Sequence, residues 1–181
     1  MEDAQKSLDE LVKHVGRYSE RAFLFVREGL SIAARQVHGP ETAAHRRLYE
    51  YMTANEMDWE TLAVKFHCRE LPATILADID EAGGYEKLNR HVSGRELCWA
   101  LRDYATKRWG MLARAVLESW NIKTTIDFGR IVFGFIELEM MQKQEDDSFE
   151  DFIDVFSFDE AFDASFRLGL RSDEADPSPD A

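Results

Sequence analysis

Residues 124–137 read TTIDFGRIVFGFIE. Apolar side chains recur at Phe128, Ile131, Val132, Phe135 and Ile136, the period of one buried helix face. Thr124 followed by Asp127 is a start signal, because a carboxylate three residues into a helix can reach back to the cap. Gly129 and Gly134 sit inside this helix, where each costs up to about 1 kcal/mol relative to alanine. Two such glycines on nearby faces point to a neighbour that approaches the backbone closely. The stretch predicts a long core helix.

Asp127-Phe128-Gly129 also spells a kinase tripeptide, but the glycine-rich loop, strand lysine and HRD loop of a kinase are missing. Outward from 124–137, helix starts and stops repeat. Ser93 with Glu96 forms a second capping box, opening a helix that carries Leu97, Leu101, Tyr104 and Ala105 and breaks at Gly110. MLARAVLESW (111–120) follows it. Ser7 with Glu10 starts a helix bearing Leu8, Leu11, Val12 and Val15. Ser19 starts another, with Ala22, Phe23, Phe25, Val26, Leu30 and Ala33 in register, stopping at His38-Gly39-Pro40. Pro40 suits the first turn of a helix over residues 40–54. Asp58 can cap WETLAVKF (59–66), and Pro72 opens PATILADIDEA (72–82), closed by Gly83-Gly84. Strand signals are nearly absent. The expected fold is all-α, a compact bundle of about eight helices over residues 1–144, with 39–90 as inserted helices.

The net charge of −13 is unevenly placed. Residues 145–181 hold thirteen acids and two bases, while residues 1–144 hold twenty-two acids and twenty bases. Within the acidic part, 145–166 reads EDDSFEDFIDVFSFDEAFDASF, with six of the chain's twelve phenylalanines and nine carboxylates. Phe149, Phe152 and Phe156 fit one helical face, and Phe158, Phe162 and Phe166 another. Ser148 and Ser157 supply cap-type starts, so two short amphipathic helices are expected. Burying the rings does not by itself offset the entropy of ordering the backbone, so the segment needs a ready-made apolar surface. Residues 145–170 are therefore expected to dock on the chain's own body, with docking on a partner as the alternative. Residues 171–181, with no apolar side chain beyond alanine, are expected to be disordered.

Catalytic constellations are missing. His67, Cys68, His91 and Cys98 lack the paired spacing of zinc ligands, and no cofactor or metal is expected. No GxSxG, P-loop or GxGxxG occurs. A basic and aromatic stretch runs from Lys87 to Arg114, with Arg95, Arg102, Lys107, Arg108 and Arg114 among Trp99, Tyr104 and Trp109. Such a face can hold phosphates and stack bases, although the overall negative charge opposes a polyanion. MEDAQKSLDEL lacks the features of a signal peptide, and no apolar run is long enough to span a bilayer. The chain is thus expected to be a cytoplasmic, non-enzymatic helical protein acting through a protein partner or self-association. A nucleic-acid regulator using the basic face is the alternative, and a diverged enzyme the third reading.

The stretches RYSERAFLFVREGL (17–30), 91–137 from HVSGRELCWALRDYA to IVFGFIE, and EDDSFEDF (145–152) with FSFDEAF (156–162) carry a resemblance. Their order resembles a family of small bacterial conserved hypothetical or repeat proteins with no assigned activity. The likeness covers roughly half of the chain. It departs from the pattern at residues 39–90, where about fifty residues replace a short link and read as three extra helices.

Overall fold

A computed structural model describes residues 2–141, 143–144 and 147–163. Phe166 and the 171–181 stretch lie outside the described residues. Among the described residues eight α-helices run in order: α1 (Glu2–Val15), α2 (Glu20–His38), α3 (Ala43–Ala54), α4 (Trp59–His67), α5 (Ala73–Glu81), α6 (Gly94–Trp109), α7 (Ala113–Ser119) and α8 (Thr125–Glu137). No strand occurs among the described residues, so the fold is all-α.

Two predicted starts are corrected. α1 begins at Glu2, which puts Ser7 inside the helix rather than at its cap. α3 begins at Ala43, and Pro40 lies ahead of the cap instead of in the first turn. Thr42 is the cap there, with His45 in the role a glutamate usually fills. The Thr42 backbone N–H donates to His45 Nδ1 (3.3 Å), which leaves Nε2 carrying the proton toward the Lys87 carbonyl (3.4 Å).

The chain divides into two units, one of residues 34–91 and one of residues 1–33 with 92–181. The 34–91 unit has a core of its own, centred on Leu48, Leu62, Ile75, Ile79 and Leu88. Arg47 ties α3 to α5 by bonding Asp78 and Glu81, each at 2.7 Å. The ends of this unit are fastened together. His38 Nε2 lies 2.6 Å from the His91 carbonyl, and Arg90 donates to the Gly39 carbonyl at 2.6 Å.

The other unit packs α1, α2, α6, α7 and α8 around Phe23, Leu101, Ile131 and Phe135. Glycines set its close approaches. A methyl group on Gly134 would lie 2.5 Å from Val15 of α1. One on Gly129 would lie 2.7 Å from the Phe152 ring, and one on Gly94 2.6 Å from the same ring. Phe152 therefore enters a slot between the start of α6 and the first half of α8, which no side chain larger than hydrogen leaves open. Thr125 fixes the backbone beside it. Its hydroxyl donates to the Phe152 carbonyl (2.7 Å) and accepts from the Val155 N–H (3.4 Å).

That clip explains why the acidic segment differs from expectation. An uninterrupted helix would use the Phe152 carbonyl internally, but Thr125 has taken it, and Asp154 turns the chain at φ +47°. A 3-10 turn (Phe149–Phe152) stands in place of the first predicted amphipathic helix, while the described part of the second forms one wide helical turn (Asp159–Asp163) and its remainder lies outside the described residues. Ser148 and Ser157 still accept bonds from Glu150 N–H and Glu160 N–H at their starts.

The slot gives a thermodynamic prediction. Phe152→Ala is expected to cost about 3–5 kcal/mol, and Gly129→Ala about 1–3 kcal/mol through overpacking. The double variant is expected to cost less than the two together, because the added methyl fills space the ring has left. Urea denaturation of the four proteins measures this coupling. Strict additivity would show that the ring and the glycine do not meet.

Candidate functional site

Asp127 is a buried carboxylate reached by donors from three segments of its unit. Its side chain is 5% exposed, and Oδ2 accepts from the backbone N–H groups of Lys123 (2.8 Å) and Thr124 (3.0 Å), so it does close the start of α8. Oδ1 accepts from the Tyr18 hydroxyl (2.7 Å) and from Arg130 Nη1 (2.9 Å). Burial alone would raise the pKa of this carboxyl. The donors from Lys123, Tyr18 and Thr124 outweigh burial and hold it below the usual carboxylate range. Tyr18 is pushed up to about 12, by burial first and then by its bond to Asp127.

Beside this network lies an open cleft of about 470 Å³, lined by His14, Val15, Arg17, Tyr18, Arg130, Phe133, Gly134, Glu137 and Phe149. Arg130, Phe133, Gly134 and Glu137 follow i, i+3, i+4, i+7 spacing, so they share the side of α8 turned away from its core stripe. The far wall is the α1–α2 link. α1 ends at Gly16 (φ +65°), whose N–H donates to the Val12 carbonyl, and the Arg17 carbonyl accepts from the Asn121 amide (3.0 Å). Phe149 closes one side, edge-on to Phe133 at 5.5 Å. At the rim His14 Nε2 lies 2.7 Å from the Glu137 carboxylate. Among the described residues no serine, threonine or cysteine lines the cleft. Cys98 is fully buried in the core, where desolvation pushes its thiol up to about 12, so it is not a nucleophile at neutral pH.

The expected interaction residues fall as follows. Phe152, Phe158 and Phe162 are buried in the core of this unit. Phe158 packs on Phe128 (6.2 Å) and on Phe162 (5.1 Å). Phe156 is half-buried against Trp99 (4.8 Å), and Phe149 lies half-buried in the cleft wall. These five rings have a bed on the chain itself.

The five bases expected to make one face do not share a face. Arg95 and Arg102, seven residues apart, occupy one side of α6, while Lys107 and Arg108 lie roughly 120–140° around it from Arg102. Arg102 covers Trp99 (4.8 Å), with Nε 2.7 Å from Asp103 but out of hydrogen-bonding line. Arg108 pairs with Glu28 (3.1 Å) and bonds the Tyr104 hydroxyl. Arg114 bridges Glu118 and Asp159. Tyr104 and Trp109 pack on Phe25 rather than standing clear. Arg95 and Lys107 are exposed.

The cleft itself was missed in the sequence. Its signal was the second face of 124–137, where Arg130 follows Asp127 by three residues. Among the described residues no group of three or more His, Cys, Asp or Glu is placed to hold a metal ion. No helix among them is long and apolar enough to cross a membrane. Comparison of the chain with protein families, curated proteins and solved structures gives no match.

The Asp127 network predicts an alkaline signature. Tyr18 is neutral in the fold and its pKa is raised, so its contribution is complete below pH 10 and is lost as pH rises through about 12. Tyr18→Phe is expected to cost about 1–3 kcal/mol at neutral pH. It is also expected to lose less stability than the wild type between pH 10 and 12, as read from urea midpoints. Parallel losses in both proteins would place the titrating group elsewhere.

Proposed function

We propose that this chain is a non-enzymatic helical interaction protein whose recognition site is the cleft between Arg17 and Arg130. The observation that carries this reading is the composition of the cleft. It combines two guanidinium groups with the rings of Phe133 and Phe149, and the one hydroxyl among its described lining residues, on Tyr18, donates to Asp127 and keeps its proton at neutral pH. Its walls stand on α8 and on a link held by Asn121, so the site is built in advance and little ordering is left to binding. The partner is a protein or a second copy of the chain, met in the cytoplasm. Membership of the small bacterial family belongs to the same proposal and adds no activity to it.

A nucleic-acid role has less behind it. Arg102, Arg108 and Arg114 spend their charge on neighbouring carboxylates, and Tyr104 and Trp109 pack on Phe25. The acidic phenylalanine segment acts as scaffold for the cleft, since Phe149 is one of its walls.

Hydrogen exchange on the purified protein, with and without a concentrated soluble cell extract, tests the placement of the site. Slowed exchange at residues 15–18 and 130–137 is the expected result. Slowing confined to residues 95–114 would move recognition to the basic helix.

A further inference from the structure

Resting on that reading, we infer that the cleft captures the C-terminal residue of a partner polypeptide, holding its carboxylate on Arg17 and Arg130 and its apolar side chain between Phe133 and Phe149. Arg17 and Arg130 attract an anion, while Glu137, the carboxylate in the lining, is held at the rim against His14. Arg130 gives Nη1 to Asp127 and also bonds the Tyr18 side chain, and the remainder of its five guanidinium donors is left for a ligand. Asp127 in turn is buried and already accepts from Lys123, Thr124 and Tyr18, which removes it as a competitor for the ligand's side of the fork. Arg17 is exposed on the rigid link and faces the same cleft. Planar guanidinium groups match a carboxylate with paired, charge-assisted bonds.

The apolar part of the ligand is chosen by spacing. Phe133 follows Arg130 by one helical turn, so ring and guanidinium stand about 5–6 Å apart at their Cβ atoms. A carboxylate and an apolar side chain that close together fit a single residue. In a polypeptide only the C-terminal residue offers both from one Cα. The ammonium of Lys143, 6.0 Å from the Phe133 ring centre, adds positive charge on the same side. A volume of about 470 Å³ holds a short chain end rather than a folded surface.

The probes are acetyl-Gly-Gly-Phe with a free carboxylate, the same peptide amidated, and 3-phenylpropanoate, each titrated into the full chain by amide NMR. The free peptide is expected to shift the Arg17 and Gly134 amides and saturate. Amidation, and Arg17→Met, are each expected to weaken it at least about tenfold. Arg130→Met is the second variant. Because Arg130 also touches Asp127, Arg17→Met is the arm that does not depend on the α8 start. Equal binding of the amidated peptide, or no loss in Arg17→Met, overturns the inference. Binding of 3-phenylpropanoate as tight as the peptide also overturns it, because the site would then serve a free small acid. Cell extract that slows exchange at the cleft while these peptides fail to bind would leave the site in place and remove only this ligand.

Discussion

The Phe152 ring between two glycines is the contact on which the rest of its unit depends. Gly94 begins α6 and Gly129 lies in the first half of α8, and neither can carry a methyl group without striking the ring. Close packing of this kind fixes distance, because van der Waals contact is steeply repulsive on one side and lost on the other. Three segments that are distant in sequence are thereby set against one another. Thr125 completes the arrangement by holding the backbone on either side of the turn. Phe149, three residues before Phe152, is then delivered to Phe133 as a wall of the cleft. The candidate site is thus a consequence of core packing one turn away.

The same contact accounts for an acidic stretch so rich in phenylalanine. The rings are turned to the body, while Glu150, Asp154, Asp159 and Glu160 stay exposed. The carboxylates keep an otherwise apolar segment hydrated without having to bind the body. Arg114 with Asp159 is a surface pair, the class that adds little to stability. Packing, and not charge attraction to the basic helix, positions this segment.

Much of this was legible from residue order. The helix of 124–137 has its cap, its stripe and its closely approached glycines where periodicity and turn chemistry put them, and Ser93, Asp58 and Gly110 mark real boundaries. Three features were not legible, each for a physical reason. Histidine in place of a capping glutamate depends on a tautomer fixed by the distant Lys87 carbonyl. The phenylalanine spacing reads as helical, but a hydroxyl twenty-seven residues earlier removes the carbonyl that such a helix needs. The cleft draws on α1, the α1–α2 link, α8 and Phe149, so no single stretch carries its pattern. The five bases expected to form one face are spread around α6 and onto α7, which residue order alone does not reveal.

Amide exchange of the unmodified chain, residue by residue, tests the central claim most directly. If Phe152 is a core residue, the Val155 N–H, bonded to Thr125, exchanges within about tenfold of the buried amides of α8, since both open only with the unit. Exchange of Val155 at the rate of an unstructured peptide, while α8 stays protected, would show the ring outside its slot and contradict the account.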